Sequence, residues 1–372
     1  MTKRIAFIAN NRAAPWGGSE ELWAQAALRM VKLGYQVGVS VKGWQPAAQK
    51  VTALSKAGCR VTYRWYDKTL FHRLQNRFYK EKHHHRWLDR FKPDLTIISQ
   101  ASNIDGIDWM EACLERGIPF APIAQAAAPN YWPPDPMAER LAAAYGQAIA
   151  SFFVSQRNID LTVKQIAANL PNAQVVRNPF KVSYDARPPW PEPQGTFKLA
   201  CVGRLEPFSK GQDVLFEVLR ADKWKQRSLQ VTLYGKGSSQ ATLAKLKTLW
   251  DLEQIKFGAY VDDIEGIWAS HHGLILPSRY EGLPLAVVEA MLCGRLCIVT
   301  DVAGNTELIE DHVHGFVAAA PQPACLDDAL ERAWQQREQW YDIGQAAAVQ
   351  VRKAVPRDAV GNFVSKLEGL LK

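Results

Sequence analysis

The chain contains no apolar run of the roughly 18–20 residues that a bilayer-spanning helix needs, no C-x-x-C pair and no Asp-x-Asp. The first absence excludes a transmembrane helix. The second, with six cysteines scattered at 59, 113, 201, 293, 297 and 325 and several in apolar strand or helix contexts, speaks for buried free thiols in a reducing compartment rather than disulfides or zinc sites. No charged-then-apolar leader precedes the first strand, so a cytoplasmic location is expected. No internal repeat stands out either, which argues against a solenoid or propeller. The run His83-His84-His85 invites a metal reading, but adjacent helical side chains point about 100° apart and do not converge on one ion. It reads as a solvated run.

What is present is a chain of 372 residues, 47% apolar, long enough for two domains with separate cores. Strand-like and helix-like segments alternate throughout, the pattern of doubly wound parallel sheets. RIAFIANN (4–11) is a strand, APWGGSEE (14–21) a glycine loop, and the residues after it a helix and a second strand. AQVVRNPF (173–180) reads as the last strand of a first domain, 1–182. RPPWPEPQG (187–195) is too rich in proline for a helix or a central strand, so 183–196 is expected to be a linker or hinge. A second domain then fills 197–352. The end of the chain, 353–372, has helical spacing of Val360, Phe363, Val364, Leu367 and Leu371.

Glu281 and Glu289 lie eight apart in SRYEGLPLAVVEAMLCG. A short strand, GLILP (273–277), precedes them, and a helix is predicted from Leu285. One glutamate falls in the turn and the other about one turn into the helix, so both can face a ligand at a strand's carboxyl end. Two glutamates at this spacing are commonly just solvated. Here carboxylates that accept from sugar or ribose hydroxyls flank a helix N-terminus at Leu285-Ala286 that suits a phosphate. Pro284 has no N–H, so the backbone donors begin after it. Upstream, FKLACVGRLEPFSKG (197–211) is a buried strand, a turn at Gly203 and two cations, Arg204 and Lys210, placed for a diphosphate. VTLYGKG (231–237), with Gly235, and IKFGAYVDD (255–263), with Tyr260 and Val261, repeat the strand-to-glycine pattern. Each of these is weak alone. Their order carries the signal.

That order resembles the carboxyl-terminal half of the family 4 retaining glycosyltransferases, and the Gly17-Gly18 loop resembles their first loop. The resemblance covers nearly the whole chain and is most specific between 198 and 316. It implies an α/β GT-B fold, two Rossmann-like domains facing a central cleft, with the last helix crossing back to the first domain. It also implies transfer of a sugar from a nucleotide diphosphate sugar to an acceptor hydroxyl, with retention. Arg204, Lys210 and Glu281 would be catalytic. Gly17, Gly18, Gly203, Gly235, Tyr260, Val261, Leu285, Ala286 and Glu289 would hold the donor, the base against 257–261 and the ribose on Glu289. Ser19, Glu20 and Gln125 are acceptor or sugar candidates. Gln125, in PFAPIAQAAAPNYW (119–132), stands about where many members carry a histidine. Glutamine can hydrogen-bond a hydroxyl but cannot take up a proton, which puts a general-base role there in doubt. Asn130, Tyr131 and Trp132 either stack on a sugar or pack in the core. Asp-x-Asp is the cation-holding motif of the other large glycosyltransferase fold, so a reaction without metal or cofactor is expected.

The net charge of +8 is unevenly spread: residues 68–92 hold eight Lys or Arg against Glu81 and Asp89. Leu70, Phe71, Leu74 and Phe78 form one helical stripe, and Arg73, Arg77 and Lys80 an adjacent one. Such a helix suits an anionic membrane surface or a lipid-linked acceptor at its inner face; the plain alternative is a stripe packed on its own sheet under solvated charges. No recognition module accompanies the charge, so nucleic acid is not expected. Two other functions stay open on the same fold, a sugar-nucleotide epimerase and a non-catalytic donor-binding relative.

Overall fold

In a computed structural model the chain forms two compact units, Met1–Pro179 with Asp358–Lys372, and Phe180–Arg357. The structure describes residues 2–11, 14–65, 79–191, 195–259 and 261–372, and of 79–83 the backbone alone.

The first unit is built on β1 (Arg4–Ala9), β2 (Gln36–Lys42), β3 (Arg60–Arg64), β4 (Leu95–Gln100), β5 (Phe120–Ala124), β6 (Ser151–Phe153) and β7 (Ala173–Val175). They pair in the order β3-β2-β1-β4-β5-β6-β7, every pair parallel. The order reverses direction between β1 and β4, so the loops after these strands diverge and leave a crevice at their carboxyl ends. β4 and β5 are buried along their whole length, because helices cover both faces of a parallel sheet.

The final helix, Ala359–Leu370, closes this unit: Val360, Phe363, Val364, Leu367 and Leu371 are buried in one core with Leu22, Trp23 and Ala27. Phe363 meets Phe152 edge-on at 5.3 Å. Asp358 caps the helix through the Gly361 N–H and pairs with Arg29 at 2.6 Å.

The second unit holds β8 (Phe197–Val202), β9 (Leu229–Tyr234), β10 (Ile255–Phe257), β11 (Gly273–Leu276), β12 (Leu296–Thr300) and β13 (Gly315–Ala318), in the parallel order β10-β9-β8-β11-β12-β13. Here the reversal falls between β8 and β11. Both sheets are thus Rossmann-like, and the fold class expected from the sequence is the one observed.

The proline-rich segment corrects the expectation of a linker at 183–196. The units divide between Pro179 and Phe180, and the following residues belong to the second unit. Arg295, 1% exposed, donates to the carbonyls of Pro188 and Pro189 at 3.3 and 2.6 Å, and its guanidinium lies 5.0 Å from the Trp190 ring. Prolines lack N–H groups but keep their carbonyls, and a buried arginine with five donors satisfies them. Burial lowers the pKa of that guanidinium to about 10. The pull toward a hinge was the proline count; the arginine that docks it lies a hundred residues on.

The basic segment is only partly described. Tyr79–Phe91 is a helix, while Leu70, Phe71, Leu74, Phe78, Arg73 and Arg77, and the Lys80 side chain, lie outside the described residues. His85 departs from the solvated reading of the histidine run. It is buried with its ring 4.5 Å from Trp109, and burial pushes its pKa down to about 4. All six cysteines are free, and every one but Cys325 is buried. No described helix is long and apolar enough to cross a membrane.

Candidate functional site

The carboxyl ends of β8 and β11 bring together residues that are some seventy positions apart in the chain. After β8 the backbone turns at Gly203 and enters the short helix Pro207–Lys210. Lys210 lays its stem beside Gly203 and donates from Nζ to Glu281 Oε1, in the turn after β11. Ser278, fully buried, donates to the same carboxylate oxygen at 2.7 Å. The cation and the first glutamate singled out in the sequence are therefore direct partners. Arg204 sits at the mouth, its side chain 52% exposed, 3.4 Å from Glu206.

Two glycines make this approach possible. Gly211 has φ +64, and a Cβ there would lie 2.0 Å from the Pro277 carbonyl. Gly235 has φ +144, and a Cβ there would lie 1.9 Å from the Gly203 carbonyl. Only glycine tolerates such backbone contact, so Gly235 is needed to seat the β9 turn against the β8 turn whatever else it binds.

Sequence reasoning passed over a set of residues that frames this pair. Arg279 forms a two-pronged ion pair with Asp213, both contacts 2.7 Å, and donates to the Pro207 carbonyl at 2.7 Å. Its own N–H bonds the Ser209 carbonyl at 2.8 Å. These bonds lock the turn carrying Glu281 to the loop carrying Lys210. Arg279 stands within the SRYEG string, so half of the signal was in view; Asp213 was not.

Glu289 lies one turn into the helix Leu285–Leu292, 4% exposed. It accepts from the Lys181 N–H at 2.9 Å. No side chain caps this helix, whose N-cap is Pro284, so the N–H groups of Leu285 and Ala286 form its first turn beside the Glu281 loop. Burial raises the Glu289 carboxyl to about 7, against the pull of the Lys181 N–H. The ordinary value is 4.5. Between the two the folded protein holds a proton that the unfolded chain has lost. The stabilisation is full below pH 4.5 and is lost as pH rises toward about 7. Glu289→Gln should therefore flatten the fall in stability over that window, with the larger gain over wild type at pH 7.5 than at pH 4.5. Denaturant melts of the ligand-free protein at the two pH values check this, and parallel wild-type and variant curves would refute it.

Val261 is half-buried in the loop after β10, and Tyr260 lies outside the described residues. In the first unit, Gly17 precedes a single turn, Gly18–Glu20. Glu20 points inward: it is 4% exposed and accepts from Asn11 at 3.1 Å and Ser19 at 2.7 Å. Burial raises its carboxyl. Gln125, after β5, is buried and accepts from Asn178 Nδ2 at 2.8 Å. Trp132 is exposed and Tyr131 half-buried, so Trp132 is not a core residue. Among the described residues no group of three or more His, Cys, Asp or Glu is placed to hold a metal ion.

Residues 196–336 match the family described as Glycosyl transferases group 1. The chain is 28% identical over 166 residues to the D-inositol 3-phosphate glycosyltransferase of Frankia alni, covering 40% of each chain. It is 39% identical over 56 residues to the UDP-Gal:alpha-D-GlcNAc-diphosphoundecaprenol alpha-1,3-galactosyltransferase of Escherichia coli, covering 15% of this chain and 14% of that one. The matched segments thus span two fifths or less of these relatives' length. Over its whole length the fold resembles Anabaena HepE, solved in complex with UDP, with a TM-score of 0.75 and 16% identity, covering 98% of this chain and 100% of that one. The fold is GT-B. The match to the family described as Glycosyl transferases group 1 falls in the second unit, and the residues at the β8–β11 crevice lie inside the matched span.

Proposed function

We propose that the protein is a retaining glycosyltransferase that takes a sugar from a nucleotide diphosphate sugar. The observation that carries this is the joining of Lys210, Glu281 and the uncapped Leu285 helix at the reversal point of the second sheet, with Glu289 one turn further on. The diphosphate would meet Lys210, Arg204 and the first N–H groups of that helix. Glu289 would accept from the ribose hydroxyls, and Glu281 from hydroxyls of the transferred sugar. Relatives support the donor class: the Escherichia coli protein's name specifies UDP-Gal, and HepE was solved with UDP.

The chemistry is one exchange of bonds. The acceptor oxygen bonds to the anomeric carbon as the bond to the diphosphate oxygen breaks, on the same face. The diphosphate leaves with the bonding electron pair and takes the acceptor proton. Negative charge grows on it in the transition state, and fixed cations and N–H dipoles stabilise that charge without reorganising. Lys210 and Arg204 would do this in place of a divalent ion. The loop from Gly17 to Glu20, with Gln125, remains our candidate for contact with acceptor or sugar. A lipid-linked or cell-envelope glycan is the acceptor class we favour, since the Escherichia coli relative is named for a diphosphoundecaprenol acceptor and Arg86, Arg90 and Lys92 are exposed on the basic segment.

Transfer from a panel of nucleotide sugars to lipid-linked saccharides, run in excess EDTA, tests the proposal. A glycosylated acceptor with the donor's anomeric configuration is expected, at a rate unchanged by EDTA. Strict dependence on Mg²⁺ or Mn²⁺ would overturn the part given to Lys210 and Arg204. Formation of an epimerised nucleotide sugar without acceptor would overturn the transfer itself.

A further inference from the structure

The turn that carries Glu281 follows β11, and both strands beside β11 hold it. From the β8 side, Lys210 reaches the Glu281 carboxylate, and the Ser209 carbonyl takes the Arg279 N–H at 2.8 Å. From the β12 side, a second set of bonds fixes the backbone at either end of the turn. The register pairs Leu276 with Val299, so Thr300 comes next to the start of the turn. Its hydroxyl donates to the Ser278 carbonyl at 2.6 Å. The Gly304 N–H donates to the Gly282 carbonyl at 3.0 Å. Glu281 thus stands between two anchored carbonyls. Ser278, held by Thr300 through its backbone, is also the residue whose hydroxyl donates to the Glu281 carboxylate.

The loop that supplies these anchors is itself tightly held. Asn305 donates from Nδ2 to the Thr300 carbonyl at 3.0 Å and so ties the two ends of the loop together. Between them Ala303 has φ +44, in the left-handed region. That conformation is costly for a residue with a Cβ. Such strain persists only where the surrounding structure over-determines it, and it gathers at functional sites. A loop that served stability alone would gain from glycine at 303. Thr300, Ser278 and Asn305 are each 0% exposed, so none of them can meet a substrate. Any influence they have on a reaction must pass through the Glu281 turn.

We propose that Thr300 is a positioning residue for Glu281. Its hydroxyl fixes the Ser278 backbone, and with it the Ser278 hydroxyl that aims the carboxylate. The proposal rests on the reading of Glu281 as the group that accepts from the transferred sugar. Hydrogen bonds weaken steeply as their geometry departs from linear, and a misplacement of about 1 Å can cost on the order of 10² in rate. Loss of one anchor therefore should show in turnover while the nucleotide is held as before.

The test uses the full chain. UDP or GDP release is followed from UDP-glucose, UDP-galactose, UDP-N-acetylglucosamine or GDP-mannose, whichever the wild type turns over with the lipid-linked saccharides as acceptors. Thr300→Val keeps the shape and removes the donor. Its kcat should fall about tenfold, as for a small misplacement of one contact, and Thr300→Ser should restore most of the loss. Calorimetric affinity for UDP or GDP should stay within about threefold of wild type, since the nucleotide contacts are untouched. In a Glu281→Gln background, Thr300→Val should cost less than about twofold more, because residues acting through one group are not additive. Ala303→Gly gives a second reading that does not depend on Thr300→Val folding: its melting temperature should hold or rise while kcat falls, since glycine frees the loop that anchors Gly282. A kcat within about twofold of wild type in Thr300→Val and in Ala303→Gly would overturn the proposal, as would an undiminished loss in the Glu281→Gln background. No release by the wild type from any of the four donors would instead overturn the donor reading, and this proposal with it.

Discussion

Lys210→Ala is expected to lower turnover by on the order of 10²–10³, the scale seen when one preorganised charge stabiliser is removed. Lys210 is mostly buried, and its ammonium pairs with Glu281 beside the space proposed for the diphosphate. Arg204→Ala should fall at the lower end of the same range, because its side chain is half-exposed and its field is screened by water. Removing Lys210 also leaves Glu281 buried without its cation, and breaking such a pair is destabilising. The two effects separate in a double variant. Lys210→Met with Glu281→Gln should recover much of the thermal stability lost in Lys210→Ala, yet none of the turnover. Turnover within threefold of wild type in both single alanine variants would contradict the diphosphate assignment.

The two glutamates should part company in a second experiment. At pH 8, where a carboxyl of pKa about 7 is mostly ionised, Glu289→Ala should weaken nucleoside diphosphate binding by about 10- to 100-fold, the loss expected for hydrogen bonds to a charged acceptor. Glu281→Ala should leave that affinity within about threefold and instead cut turnover, because its proposed partner is the sugar. Equal losses of nucleotide affinity in the two variants would show that the carboxylates do not divide the donor as described.

Much of this site was legible in the sequence because its signals are local. The strand–turn–helix run from 273 to 292 is readable from an apolar run, a turn and the proline that starts the helix, and both glutamates fall where that run puts them. What was not legible depends on which strands are neighbours. β8 and β11 pair directly through Gly273 with Leu199 and Leu274 with Ala200, and nothing local announces a contact across seventy residues. Hence the direct bond from Lys210 to Glu281, the Arg279–Asp213 pair and the Lys181 N–H on Glu289 had no single-segment signature. The proline-rich segment misled for a related reason. Proline content describes what the local backbone cannot do, whereas its place against Arg295 depends on a partner elsewhere in the fold. His85 repeats the lesson: charge and periodicity put the histidine run on a solvated helix, but one of the three faces Trp109.

The central claim is that the second unit holds a nucleoside diphosphate through Lys210, Arg204, the Leu285 helix and Glu289. Calorimetric titration of the wild-type chain in EDTA with UDP, ADP, GDP and CDP, each paired with its bare nucleoside, tests it most directly. At least one diphosphate is predicted to bind with a Kd below about 100 μM and at least 100-fold more tightly than its nucleoside, since a diphosphate held by two cations and a helix N-terminus should contribute most of the affinity. No binding of any diphosphate up to about 1 mM, or equal affinity of a diphosphate and its nucleoside, would contradict it.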